Sequence, residues 1–410
     1  MKKRDILFLC QFFYPEYNSS ATLPFDTAKS LSEAGFSVGA MCGYPREYSN
    51  IKKVPLKETE SGVNIRRLKY IQVKRTSKIG RLINYFSFSF AVLFNIFRIK
   101  KYRSVIVYSN PPILPMAAVL ANILFGTKII FVSYDVYPEV AYASGSIADT
   151  GVIARVMRRI NRSLFKRASA VVALTDEMKA FLENSRPQIE ADRIVVIPNW
   201  AHEKAPSSSS PEKYSKFGYS PDDFIVSYFG NMGICQDVET LIGAIRMLTD
   251  HDKIKFMIAG HGSKLEYVRD SVAGLKNVSV LDFLSGDDFR SAVSISSCGV
   301  VSLEKGLVGM CAPSKYYSYL QGGIPVLAVV EPKSYLAKET EEEQTGAAVE
   351  LGDSKALAEK IVEMSECRSA CADMSRRAAA LYEEKYSMKT GLDKYTEMFR
   401  KLLLSNPCGR

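Results

Sequence analysis

Short apolar runs alternate with helix-patterned stretches along almost the whole chain, and no other feature constrains its fold as tightly. In the first half the strand-like runs are Asp5–Cys10, Ser37–Cys42, Ser104–Ser109, Lys128–Ser133, Ser169–Leu174 and Arg193–Ile197. In the second half they are Phe224–Phe229, Ile254–Ala259, Asn277–Leu281, Gly299–Leu303, Pro325–Val330 and Ala347–Glu350. Helix-length patterns between the strands predict parallel sheets, the α/β class. Two such series in 410 residues predict two domains. The Pro/Ser-rich stretch from Ala205 to Pro211, within a loop over 198–218, puts the boundary near there: 1–198 and 199–387. Helices are expected over Pro24–Ala34, Gly151–Arg167, Val238–Leu248, Lys355–Met364, Cys371–Lys385 and Asp393–Leu404.

In parallel α/β sheets ligands gather at the carboxyl edge, so the loops after the strands are the places to search. The second half contributes three. One is Gly230-Asn231-Met232-Gly233-Ile234-Cys235-Gln236-Asp237, and another is Gly260-His261-Gly262-Ser263. Their small residues would let backbone approach a ligand closely. The third is Pro313-Ser314-Lys315, opening a short helix that Gly322-Gly323 can end. Ser314 is placed to cap that helix, and its N-terminus presents free N–H groups. Lys315 in the first turn opposes the helix dipole, which makes sense if an anion such as a nucleotide diphosphate occupies the site. A capped helix with a solvated lysine is the plain alternative.

The first half contributes Gln11 to Thr22, including Tyr14, Glu16 and Asn18, then Asn110-Pro111-Pro112, then Tyr134-Asp135-Val136-Tyr137-Pro138-Glu139. The first of these is not a GxGxxG and carries no dinucleotide signal. Asp135 and Glu139 can accept a proton or hold sugar hydroxyls, and can equally cap the following helix.

The formal net charge of +10 points to an anionic partner. Ser61–Tyr134 holds no Asp or Glu and carries +12 by itself. Inside it, Leu82–Phe97 is apolar and aromatic with basic ends, too short to span a bilayer. It reads either as a helix in a membrane interface or as a buried core helix. A second basic helix, Gly151–Arg167, places Ile153, Val156, Ile160 and Leu164 on an apolar face and Arg155, Arg158, Arg159, Arg162 and Lys166 away from it. Segments 69–103 and 151–167 are therefore the candidates for an anionic membrane surface; no nucleic-acid-binding motif is found. The 8 Cys form no CxxC pair and the 3 His do not cluster, so no structural zinc is expected and a reducing compartment is favoured. The basic N-terminus leads straight into a strand too brief for a signal peptide.

Seven stretches, in order, resemble family 4 glycosyltransferases of GT-B architecture, especially the branch that builds bacterial surface polysaccharides on lipid carriers. They are Gln11–Glu16, Ser109–Pro112, Asp135–Glu139, Ile197–Asn199, Tyr228–Gly233, Ala259–Gly262 and Pro313–Lys315 with Gly323–Val326. The resemblance implies two Rossmann-like domains with parallel sheets facing a cleft, and a last helix (388–408) returning to the first domain. It implies that the first domain takes a lipid-linked acceptor of polyprenyl-phosphate type, through Tyr14, Glu16, Asn18 and Asn110. The second would take a nucleotide-diphosphate sugar, expected to be a UDP-sugar, through Asn231, Gly233, Gln236, Gly260, Gly262, Leu284, Pro313, Ser314, Lys315 and Ser318. Asp135, Glu139 and Lys315 would carry the chemistry, with retention of configuration and no cofactor or metal. The protein would work at the inner face of the cytoplasmic membrane.

The chain also departs from the family. A usual pair of glutamates is Met310 and Ser318 here, and a usual Arg and Lys are Asn231 and Gln236. The family's frequent active-site His is absent, with Asp135 in its neighbourhood. Two rival readings stand beside the transferase: a catalytically inactive subunit that binds a partner transferase, and a sugar-nucleotide epimerase on the same fold.

Overall fold

A computed structural model describes residues 3–45, 53–73, 78–201 and 209–404. Residues 74–77 of the basic segment, Ala205–Ser208 of the linker and 405–408 of the last helix lie outside them. The chain divides into two compact units: Met1–Pro198 with Gly309–Ala312 and Lys389–Arg410, and Asn199–Val308 with Pro313–Met388.

The first unit is built on β1 (Arg4–Cys10), β2 (Val38–Gly43), β3 (Lys57–Glu60), β4 (Val63–Leu68), β5 (Tyr102–Tyr108), β6 (Lys128–Val132), β7 (Ala168–Ala173) and β8 (Ile194–Val196). Their order is β3-β4-β2-β1-β5-β6-β7-β8, parallel except for the β3–β4 hairpin. β1, β2, β5 and β6 are buried along most of their length, as strands covered on both faces must be. The hairpin was not expected, because Lys57-Glu58-Thr59-Glu60 has no apolar residue to reveal it. Its signal is the turn: Ser61 and Gly62 both have positive φ (49° and 77°), the geometry of a two-residue hairpin loop.

Three helices differ from expectation. The first runs Ser19–Glu33, starting well before Pro24, because Asn18 O already accepts Ala21 N and Thr22 N. Pro24 sits inside it and gives up only its own amide bond. The helix Lys78–Phe94 is neither wholly core nor wholly surface. Phe88 and Val92 are buried, and Asn84 exchanges two hydrogen bonds with Val73 (2.8 and 2.9 Å). Phe86, Phe90 and Phe94 line its exposed side, followed by Phe97; Phe94 is 88% exposed. The helix Val152–Arg167 buries Ala154, Met157, Leu164 and Phe165, whereas Ile153 and Val156, expected in the core, are exposed with Val152. The helix Pro115–Phe125 packs against both of these helices and exposes Ile123 and Leu124.

The last helix, Met388–Leu404, belongs to the first unit. Phe399 is fully buried and meets Phe36 at 6.3 Å. Its C-terminal carbonyls are met by cations: Arg103 Nη2 donates to Leu403 O (2.7 Å) and Lys128 Nζ to Leu402 O (2.6 Å).

The second unit holds β9 (Phe224–Asn231), β10 (Ile254–His261), β11 (Val278–Leu281), β12 (Cys298–Ser302), β13 (Val326–Val330) and β14 (Gly346–Glu350). All its strand pairs are parallel, in the order β11-β10-β9-β12-β13-β14. β9 and β12 pair only through Val226–Cys298 and Ser227–Gly299. Beyond that point Phe229 N donates to Tyr319 Oη (2.9 Å), and the same hydroxyl donates to Ser227 O (3.2 Å). Gly299 leaves room for this ring, since a Cβ there would lie 2.7 Å from it. Tyr319 thus pins the helix Ser314–Gln321 to the sheet. Tyr319→Phe should orphan a buried strand amide and cost roughly 1–3 kcal/mol of stability, seen in urea unfolding; an unchanged midpoint would count against the anchor.

Candidate active site

Because the second sheet is parallel, the loops after β11, β10, β9 and β12 lie side by side along one edge. Lys315 lies at its centre. The helix begins at Ser314, with Pro313 rather than Ser314 at the capping position, and Tyr316 N bonds Pro313 O (3.2 Å). Ser314 therefore caps nothing, and its side chain stays exposed. Lys315 Nζ donates to Tyr228 Oη (3.0 Å) and Asn231 O (3.3 Å), and stands 4.1 Å from the Tyr228 ring centroid, a cation–π contact. These partners are neutral. Desolvation lowers the Lys315 pKa to about 7, with no carboxylate to oppose it.

Around it, the sequence expectations are partly corrected. Gly233 N, expected to face a phosphate, already donates to Gln236 Oε1 (3.0 Å). Asn231 Nδ2 donates to the same oxygen (3.3 Å), so these two residues form a closed amide pair. Gly260 and Gly262 are required by the chain itself: Cβ atoms there would lie 1.8 Å from Gly230 O and 2.3 Å from Met232 O. Lys264 Nζ binds Gln236 O (2.8 Å), Glu239 (3.1 Å) and Glu304 (2.6 Å), which holds the β9 and β10 loops to the loop after β12. Ser318 is one turn along the Lys315 helix, and Leu284 follows β11. Next to Leu284, the exposed Phe283 ring meets His261 edge-on at 5.3 Å. Sequence reasoning missed Tyr228 and the His261 side chain; the first gave no signal inside a strand, the second stood between two glycines.

In the first unit the loops after β1, β5 and β6 are likewise neighbours, and each contains a cis X–Pro bond: Tyr14–Pro15, Asn110–Pro111 and Tyr137–Pro138. Ser109 Oγ accepts Tyr134 N (3.0 Å) and Asp135 N (3.1 Å), which fixes the β6 loop. Asp135 also pairs in a β-bridge with Cys311, one of the residues 309–312 built into this unit. Its carboxylate has no hydrogen-bond partner among the described residues, and desolvation raises its pKa to about 6. Asn18 Oδ1 and Nδ2, Thr22 Oγ1, Gln11 Oε1 and Asn110 Oδ1 are buried without partners as well. Polar atoms are seldom left so unless something polar fills the space.

Other expected residues have structural occupations. Tyr14 stacks on Phe25 (4.8 Å), and its carbonyl accepts Arg67 Nη2 (2.8 Å). Glu16 is buried and accepts Phe13 N (3.4 Å), closing its own turn. Glu139, expected in the chemistry, is instead bound by Arg186 at 2.6 Å, and Arg186 also donates to Tyr137 O (3.2 Å). Met310, where the resemblance implied a glutamate, packs on the first unit's core. Among the described residues no group of three or more His, Cys, Asp or Glu could hold a metal ion.

Two parallel-sheet α/β units of this kind define the GT-B class. The fold resembles sucrose-phosphate synthase of Thermosynechococcus elongatus (TM-score 0.75, 14% identity, covering 98% of this chain and 100% of that one). It also resembles Anabaena HepE solved with UDP-glucose (0.70, 16%, 97% and 100%) and the lipopolysaccharide glycosyltransferase WaaG (0.68, 13%, 96% and 99%). Residues 25–200 match the glycosyl transferase 4-like domain and residues 223–366 the glycosyl transferases group 1 domain. The chain belongs to these glycosyltransferases. Among its relatives, glycosyltransferase WbjE of Pseudomonas aeruginosa is 26% identical over 72% of this chain and 74% of its own. The colanic acid biosynthesis glycosyl transferase WcaI of Escherichia coli K12 is 21% identical over 65% and 67%.

The Lys315 environment gives a stability test. Between pH of about 7 and the ordinary lysine range the unfolded chain binds more protons than the folded one, so this residue makes stability rise with pH there. Lys315→Met should remove that rise and stabilise the ligand-free protein at pH 7 by on the order of 1 kcal/mol. Parallel stability–pH curves for the two proteins would refute the unpaired-cation reading.

Proposed function

We propose that this glycosyltransferase moves a sugar from a UDP-sugar to a hydroxyl of a lipid-linked, polyprenyl-phosphate type acceptor, in the assembly of a bacterial surface polysaccharide such as O-antigen, capsule or exopolysaccharide. The observation that carries the reading is Lys315: a cation without a carboxylate, at the sheet edge and in the first turn of a helix. Departure of a nucleoside diphosphate puts negative charge on its phosphates, and a preorganised cation beside free helix N–H groups stabilises that charge. HepE was solved with UDP-glucose, WaaG serves lipopolysaccharide synthesis, and WcaI is named for colanic acid, which supports donor and pathway class.

In the first unit, Asp135 is the group for the acceptor. With a pKa of about 6 it is ionised at neutral pH and still basic enough to take a hydrogen bond or proton from a hydroxyl. Asn18, Thr22 and Asn110 offer unfilled polar atoms for further hydroxyls. Transfer is proposed to proceed with retention and without a metal; the anomeric configuration of the product decides the first point, and activity in excess chelator the second.

The same unit carries a surface suited to the inner face of the cytoplasmic membrane. No helix of the described residues is long and apolar enough to cross one. Phe86, Phe90, Phe94, Phe97, Ile123 and Leu124 are exposed on contiguous helices, and Val152, Ile153 and Val156 lie among Arg155, Arg159 and Arg162. Apolar side chains flanked by cations bind anionic lipid surfaces.

Release of UDP from UDP-sugars in the presence of a membrane extract, with sugar appearing in the lipid fraction, tests the activity. Asp135→Asn should lower the rate by roughly 10²–10⁴-fold. It should also abolish the wild-type rise in rate with pH through about 6. An unchanged rate or profile would remove Asp135 from the reaction. UDP-dependent stabilisation without turnover, together with a co-purifying transferase, would favour the inactive-subunit reading that Ser318, Asn231 and Gln236 keep open. Separately, Phe90→Asp with Phe94→Asp should strip the protein from vesicles of anionic phospholipid while leaving its Tm unchanged; retained sedimentation would refute the membrane face.

A further inference from the structure

We propose that His261 is a second positively charged ligand of the donor's diphosphate, acting beside Lys315. The proposal rests on the nucleotide-sugar reading of this sheet edge and adds a residue and a proton to it.

Four observations lead there. The first is position. His261 ends β10 in register with Asn231 at the end of β9, and its carbonyl accepts Met232 N (2.7 Å). The Asn231 carbonyl is the one that accepts Lys315 Nζ (3.3 Å), so ammonium and imidazole stand on adjacent strand ends. The second is access: the His261 side chain is exposed, held on one side by the Phe283 ring.

The third is a shortage of other charge. Asn231 and Gln236, at the tip of the β9 loop, are neutral and bonded to one another. Lys264, three residues beyond His261, is taken by Glu239 and Glu304. A diphosphate arriving at this edge would find Lys315 and the first N–H groups of its helix, while the amides of the β9 loop are already closed on one another. The fourth is the chemistry of the imidazole, which switches charge near neutral pH. Partial desolvation and the charge of Lys315 hold its pKa below the ordinary histidine value, and no carboxylate counters them. Asp282, near Phe283, is bound by Arg269. In the free protein His261 is therefore neutral at pH 7. A diphosphate between the two side chains reverses the local sign: it attracts both protons, and the imidazolium then donates a charge-assisted hydrogen bond to a phosphate oxygen. The arrangement spares the empty site two adjacent cations and couples nucleotide binding to proton uptake.

The test is the dissociation constant of UDP for wild type and His261→Gln from pH 6 to 8.5. The ratio of the two constants at each pH is the readout, because the titration of UDP itself is common to both proteins and cancels. The ratio should be about tenfold at pH 6 and fall toward one at pH 8.5. Calorimetry in buffers of different ionisation enthalpy should show wild type taking up more protons per UDP than the variant. A ratio that stays at one makes His261 a bystander, and a ratio above one that does not change with pH makes it a packing residue for Phe283; either overturns the proposal. Wild-type protein that binds no UDP at any pH would overturn the nucleotide reading itself, and this proposal with it.

Discussion

An ammonium group drawn partly out of water needs a counter-charge, and Lys315 has none. It rests on the face of Tyr228 and donates to a hydroxyl and a carbonyl, partners that orient the charge without neutralising it. The rest of the second unit keeps this group in place. Tyr319 ties its helix to the buried amide of Phe229, Gly299 makes space for that ring, and Gly322-Gly323 stop the helix where β13 must begin. A fold optimised for stability alone would put an apolar side chain there. The retained cost is what supports the proposal of an anionic ligand at this edge.

The first unit has the complementary deficit. Where the second holds a cation without an anion, the first holds a carboxylate and several amide and hydroxyl groups without partners. Both deficits lie at the carboxyl edge of a parallel sheet, where strand ends deliver loops side by side and helices cover only the faces. Positions where the resemblance implied charged residues have structural occupations: Met310 packs on the first unit's core, and Asn231 with Gln236 form a mutual pair. The charge that remains is concentrated in Lys315, with His261 next to it.

Much of the architecture could be read directly from the residues. Every strand of the second sheet was legible, and its four central strands β9, β10, β12 and β13, buried along most of their length, are written as largely apolar runs. The β3–β4 hairpin was not, since an edge strand such as Lys57–Glu60 has no buried face to advertise itself. The helix Val152–Arg167 misled for a related reason. Ile153 and Val156 fall at core spacing, but Ala154 and Met157 are the ones buried, and periodicity alone cannot say which of two apolar stripes is turned inward.

The site shows the same division. Residue type and order along the chain determined that Lys315, Asp135 and the glycine turns would stand at strand ends, because parallel strands separated by helices place successive loops at one edge. What each group does there depended on neighbours far away in sequence. Arg186 claims Glu139, Glu239 and Glu304 take Lys264, and Tyr228 alone supports Lys315 with an aromatic face. Hydrogen bonds and desolvation act over a few ångströms of space and take no account of sequence separation, so tertiary structure alone decided which charges were spent on the fold and which were left for a ligand.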